Sequence, residues 1–187
     1  MKQAILVVDM LNDFVTGALK CDRGLAIVPQ TAKLLDGARK AGIPVIFCND
    51  AHLKGIDHEL KLWGDHAIAG TKGAEVIPEL HLSDIDYVVP KRRYSGFFHT
   101  DLDLLLRELG VDTVIMTGLH AHTCAYVTPA QTLINSDTTW LLPKMLRTPS
   151  PRKTTKSASN ICTTCTARKS PTLTRCLQVG KSKLLAK

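Results

Sequence analysis

Three side chains of this 187-residue chain have the types that acyl transfer needs: the carboxylate of Asp9, the ammonium of Lys91 and the thiol of Cys124. A thiol attacks a carbonyl when its pKa is lowered, which a helix N-terminus and a nearby ammonium can supply. A base must take its proton, here Asp9. Backbone N–H groups in the loop before a helix can donate to the oxyanion that forms. Taken singly, each residue has a plainer reading: a buried thiol, a strand-end acid, a surface amine. A second constellation is Asp50-Ala51-His52, with His58 and Glu59 further on and His66 in Trp63-Gly64-Asp65-His66. An Asp-x-His at a strand end, with more imidazoles on the loop behind it, suits a divalent metal. Scattered loop histidines are more often simply solvated.

These residues need elements that bring them together. Gln3 to Val8 is a short apolar run, fit for a buried strand, and it ends at Asp9. Ile27, Thr31, Leu34, Leu35 and Ala38 recur at helical spacing, and Gly42 with Pro44 closes that helix. Pro44 to Asn49 reads as a second buried strand, and Tyr87 to Pro90 leads a third up to Lys91. Thr100 caps a helix whose stripe is Leu102, Leu105, Leu106 and Leu109, and Gly110 ends it. Thr113 to Thr117 makes a fourth strand, and a last helix starts near Cys124. Strands alternating with helices predict a three-layer α/β fold with a central parallel sheet and Rossmann-like topology. In such a sheet the residues that follow the strands share one edge, where open α/β folds place their sites.

Composition narrows the class. The length fits a single domain spanning 1–187 with its own core. No early segment has the order of a secretory signal and no apolar run is long enough for a bilayer, so a soluble cytoplasmic protein with no membrane partner is expected. The net charge of +7 is unevenly spread. Residues 1–137 hold 13 Lys and Arg against 17 Asp and Glu, whereas residues 138–187 hold 11 Lys and Arg and no acid. That basic tail admits a non-enzymatic reading as a nucleic-acid binder. Its only aromatic residue is Trp140, which leaves it without stacking platforms, so no nucleic-acid partner is expected. Cys21, Cys48 and Cys124 are an odd set in the acidic body, which argues for reduced thiols. Cys162 and Cys165 form a lone C-x-x-C with no second pair.

The segments Val7-Val8-Asp9-Met10-Leu11-Asn12-Asp13-Phe14, Lys91-Arg92-Arg93-Tyr94-Ser95-Gly96-Phe97 and Thr117-Gly118-Leu119-His120-Ala121-His122-Thr123-Cys124 resemble the three signatures of the isochorismatase-like cysteine hydrolases. The nicotinamidases are the well-understood branch they are most similar to, and the resemblance covers residues 3–136. It implies that Asp9 is the general base, that Lys91 orients and charges the site, and that Cys124 forms a thioester acyl-enzyme from a small amide. It places the family's cis peptide at Leu119–His120, in the loop whose N–H groups would face the oxyanion. It assigns a divalent metal (zinc, iron or manganese) to Asp50, His52 and His66, with His58 as a candidate fourth ligand, and calls for no organic cofactor. It gives the aromatic wall to Phe14, Trp63 and Tyr94, and implies a homo-oligomer. The alternatives within the family are an isochorismatase-type reaction and a ureido-amide hydrolase. Cys124-Ala125-Tyr126 and Thr128-Pro129-Ala130 depart from the family's usual run, which bears on the substrate more than on the reaction.

Residues 137–187 break the grammar of the rest: Thr, Ser, Lys and Arg crowd them and no period is sustained. A disordered tail is one reading, but it leaves the apolar edge of a four-stranded sheet uncovered. A single nucleotide missing just after the Ser136 codon accounts for more. Restoring it turns the segment into Gly-Tyr-Asp-Val followed by an apolar strand and an acid-rich helix, the order the resemblance calls for. On that reading 137–187 are a frame-shifted rendering of the domain's last strands and helices.

Overall fold

The computed structural model describes residues 2–119, 124, 128 and 139–141. The elements run β1 (Gln3–Val8), α1 (Asn12–Val15), α2 (Asp22–Lys40), β2 (Val45–Asp50), α3 (Glu59–Trp63), β3 (Tyr87–Lys91), α4 (Leu102–Glu108), β4 (Thr113–Gly118) and β5 (Thr139–Leu141). Two 3₁₀ turns, Lys72–Ala74 and Pro78–Leu80, lie between α3 and β3. The strand order is β3-β2-β1-β4-β5 and every pairing is parallel. The predicted sheet is therefore present.

The apolar runs form central strands because both faces of the sheet are covered. β1 alternates between two cores. Ile5 and Val7 pack with Ile27, Leu34, Leu35 and Ala38 of α2, while Ala4, Leu6 and Val8 pack with Leu102 and Leu106 of α4. Leu105 and Leu109, expected in the same stripe, are only partly buried against that second core. The cap of α4 lies one residue later than predicted, at Asp101. Thr100 still serves the turn: its hydroxyl donates to the Gly96 carbonyl and accepts from Leu102 N at 3.3 Å.

The chain builds outward from β1 to β2 and β3, then returns to the other side of β1 as β4. The crevice of an open sheet opens where that order reverses, at the carboxyl ends of β1 and β4. Here the two strands come close together. Gly118 has φ +118°, and a Cβ on it would collide with the Val8 carbonyl, so only glycine fits.

Cys124 and Thr128 are helical, where the last predicted helix was placed. Of the segment read as frame-shifted, only residues 139–141 are described. Their backbone adds a fifth strand in register Thr113↔Thr139, on the sheet edge that four strands would have left open. The rest of 137–187, including the basic run and the C-x-x-C pair, lies outside the described residues. Among the described residues no helix is long and apolar enough to cross a membrane.

Candidate active site

Asp9 leaves β1 with φ +54°, a left-handed turn that Asp tolerates better than most residues. Its Oδ1 accepts the Asp50 N–H at 2.8 Å, which locks it to the end of β2. Asp50 and Lys91 are register partners of β2 and β3, so their side chains rise on the same side of the sheet. Lys91 Nζ then reaches Asp50 Oδ1 at 2.6 Å and continues over β2 to Asp9 Oδ2 at 2.8 Å. Cys124 Sγ lies within 4.8 Å of carboxylate oxygens of both Asp9 and Asp50. The acid, the ammonium and the thiol converge, and all are buried.

Burial dominates the electrostatics. It raises the Asp9 carboxyl to about 6, helped by the neighbouring Asp50 charge and opposed by Lys91. Burial also pushes up the Asp50 carboxyl, but Lys91 and His52 outweigh it and hold Asp50 below the usual range. Burial disfavours the Lys91 charge, yet the acidic groups around it keep its pKa well above that of a free lysine. The thiol corrects the sequence expectation. Burial drives the Cys124 pKa well up, and Asp9 and Asp50 oppose the Lys91 charge that would lower it. Two carboxylates share one ammonium, so the site does not store a thiolate. Beside the thiol stands a carboxyl that burial has made more basic, so the pair has the chemistry to pass a proton.

Beside this cluster, ligand atoms of Asp50, His52 and His66 lie within 4.8 Å of one another. His52 Nδ1 pairs with Asp57 Oδ2 at 3.1 Å and His66 Nδ1 with the Gly64 carbonyl at 2.7 Å. Each ring therefore spends Nδ1–H on a protein acceptor and keeps the Nε2 lone pair for the cluster, as metal-ligating histidines do. His52 Nε2 is buried with no hydrogen-bond partner, and Asp50 Oδ2 is 3.7 Å from it, beyond hydrogen-bond range. An orphaned buried nitrogen facing a carboxylate and a second imidazole fits a divalent cation. The loop that carries His66 is stitched in place. His52 N donates to the Ala67 carbonyl at 2.8 Å, and Ala67, held at φ +44°, donates its own N–H to Asp13 Oδ2 at 2.8 Å.

Two acids, Asp13 and Asp57, escaped the sequence reading as site residues, and Glu59 was named there only beside His58. Asp13 was visible only as a motif letter. Asp57 and Glu59 flank His58, the candidate fourth ligand, which instead stands exposed before α3 and does not join the group. The turn into α3 points its two neighbours inward. Burial raises the Glu59 carboxyl, with the Asp50 charge adding to the rise. Asp57 is held far below the carboxylate range, chiefly by hydrogen bonds from Arg92. The only available signal was the run Asp57-His58-Glu59 itself, where one of three must face away. Trp63 and Tyr94 meet at the rim through Trp63 Nε1–H donating to the Tyr94 hydroxyl at 3.0 Å. Phe14 lies edge-on to His66, with centroids 5.6 Å apart. Leu119 is buried and donates its N–H to the Val8 carbonyl at 2.9 Å. His120 and the oxyanion loop to Thr123 lie outside the described residues.

Residues 3–144 match the isochorismatase domain family. The chain belongs to that family. A member from Bacillus subtilis (strain 168), the uncharacterised isochorismatase family protein YwoC, is 36% identical over 124 residues, which cover 63% of this chain and 63% of YwoC. The chain thus matches less than two thirds of that relative's length. The family fold is equally plain in three dimensions. N-carbamoylsarcosine amidase from Thermoplasma acidophilum aligns with a TM-score of 0.80 at 34% identity, over 87% of this chain and 93% of that one. Nicotinamidase PncA from Bacillus subtilis aligns with a TM-score of 0.79 at 26% identity, over 87% and 95%.

Proposed function

We propose that this chain is a cysteine hydrolase that cleaves the C–N bond of a small amide through a thioester, in the manner of a nicotinamidase. The observation that carries this is the buried convergence of Asp9, Lys91 and Cys124 at the strand ends. Cys124 Sγ adds to the amide carbonyl while its proton passes to Asp9. The C–N bond then breaks, the nitrogen leaves as ammonia with the proton held by Asp9, and the acyl group stays on sulfur. Water attacks the thioester, Asp9 takes the water proton, and the acid departs as the thiol is restored. Lys91 holds both carboxylates in place and balances the charge on Asp9 throughout.

Asp50, His52 and His66 would hold a divalent cation such as zinc, iron or manganese. When bound, it supplies a Lewis-acidic seat for a donor atom of the substrate, such as a pyridine nitrogen. That favours an aryl amide over the vinyl ether of an isochorismatase-type reaction. The 34% identity to an N-carbamoylsarcosine amidase supports ureido amides as the second reading. The deciding measurement is ammonia released from nicotinamide and from a panel of ureido amides, with and without chelator. Release from nicotinamide that falls on chelation is expected; silence across the whole panel would refute the amidase.

The rate is expected to rise with pH through about 6. Asp9 accepts the thiol proton only as the carboxylate, and burial lifts its pKa to about 6, so the active fraction grows above that value and vanishes below it. Initial rates from pH 4.5 to 8 should show that acidic limb, and a limb near 4, the range of an ordinary carboxylate, would exclude a buried base.

We infer as well that residues 137–187 are the frame-shifted end of the same single domain. An intact mass of the protein made from its own gene should then differ from that of the printed sequence and match the restored frame. A mass equal to the printed sequence would mean that the gene itself carries the shift.

A further inference from the structure

Arg92 has no part in the chemistry set out above, yet its guanidinium is paired with a buried carboxylate. β3 ends at Lys91, whose carbonyl accepts the Ala51 N–H at 2.8 Å and so ties this corner to the Asp50–His52 segment. From that corner successive side chains go separate ways. Lys91 reaches Asp9 and Asp50, and Arg92 reaches Asp57. The Arg92 side chain is 46% exposed, but Asp57 is completely buried. Arg92 Nε stands 2.9 Å from Oδ1 and 3.0 Å from Oδ2, and Nη2 also donates to Oδ1. Oδ2 accepts the Leu53 N–H at 2.9 Å and faces His52 Nδ1 at 3.1 Å. A planar fork and a backbone amide therefore fix the carboxylate in its own plane, and that plane sets the rotation of the His52 ring.

We propose that Arg92 is a positioning residue which, through Asp57, holds His52 with Nε2 towards Asp50 and His66 and so presets this trio for a divalent cation. The inference rests on the metal reading given above. A single strand end then serves both halves of the site: residue 91 sets the acid pair, and residue 92 sets the imidazole 40 positions earlier in the chain. Arg93 is a poor substitute. Its Nη1 lies 3.8 Å from Asp57 Oδ1 and donates to the Arg92 carbonyl at 2.5 Å.

Titration of the full chain with Co(II), followed by its visible d–d absorption, tests the idea without any turnover. Wild-type protein should bind one tight equivalent, and His66→Ala defines the background uptake. Arg92→Gln should weaken binding by about 10–100-fold, the usual cost of losing an outer-shell partner. Arg92→Lys, which keeps the charge but loses the fork, should fall between the two. Arg93→Gln should bind like wild type. The metal-free melting curve of each variant shows whether it is folded. Folded Arg92→Gln that binds Co(II) as tightly as wild type overturns the inference while leaving the metal site standing. Wild type that binds no more than His66→Ala removes both.

Discussion

Cys124→Ala is expected to lower amide hydrolysis by about 10⁴-fold or more while the protein stays folded. On the proposed mechanism the sulfur forms the bond to carbon, and the other buried thiol among the described residues, Cys48, cannot take its place. Cys48 is buried in the same core, and burial pushes its thiol up to about 12. Gly96 closes over it so tightly that a Cβ there would come within 2.7 Å of the Cys48 sulfur. The substitution removes one small buried atom from a pocket bounded by Thr128, whose hydroxyl donates to the Cys124 carbonyl at 2.6 Å. That bond is to the backbone and survives the change. Substrate should still bind, so the loss should appear in kcat rather than in KM. Residual hydrolysis above about 1% of wild type would mean that the reaction does not pass through the thioester.

Lys91→Met is expected to destabilise the fold by about 3–5 kcal/mol at neutral pH and to abolish activity. Methionine fills most of the space, so the effect isolates charge. Among the described residues the ammonium is the only cation in contact with Asp9, and Asp9 and Asp50 are 2% and 3% exposed. Removing it leaves two buried carboxylates side by side, and at least one must hold a proton to stay there. The folded-state pKa of that carboxyl rises further above its unfolded value. Its contribution to stability is then present at low pH and lost as pH rises through the raised pKa. Denaturant unfolding should therefore find the variant closer to wild type at pH 5 than at pH 8. Adding Asp9→Asn should recover part of the loss. Equal destabilisation at both pH values would show that Lys91 acts by packing and not by charge.

Asp50 belongs to the trio proposed to hold a metal and also pairs with Lys91 of the proposed catalytic trio, so the two are best treated as one site. Its Oδ1 faces the Lys91 ammonium and its Oδ2 faces His52. Whatever occupies the imidazole side changes the charge that Lys91 must balance on the other, so substitutions at His52 should alter the pH limb of catalysis as well as metal affinity.

The amino-acid sequence alone determined the strands, and through them the site's location. Gln3–Val8 and Thr113–Thr117 read as buried strands, because runs of that apolarity with no solvent face belong at the centre of a covered sheet. Once they are parallel, Asp9, Lys91 and the segment leading to Cys124 must emerge at one edge, a consequence of topology that needs no coordinates. Asp50 and His52 were legible for the same reason.

Only the tertiary structure decided which groups face inward and what surrounds them. His58 and Glu59 are equivalent as letters, but the turn into α3 buries the acid and exposes the imidazole. Asp57 and Arg92 are 35 positions apart, and Asp13 and Ala67 54, separations across which no periodicity carries information. The direction of the thiol shift was likewise out of reach. A nearby ammonium lowers a thiol's pKa and burial raises it, and the balance depends on how deeply the sulfur sits and on two carboxylates drawn from different strands. Pattern is local and sets the elements; charge balance and burial are sums over everything nearby, and they exist only once the chain has closed on itself.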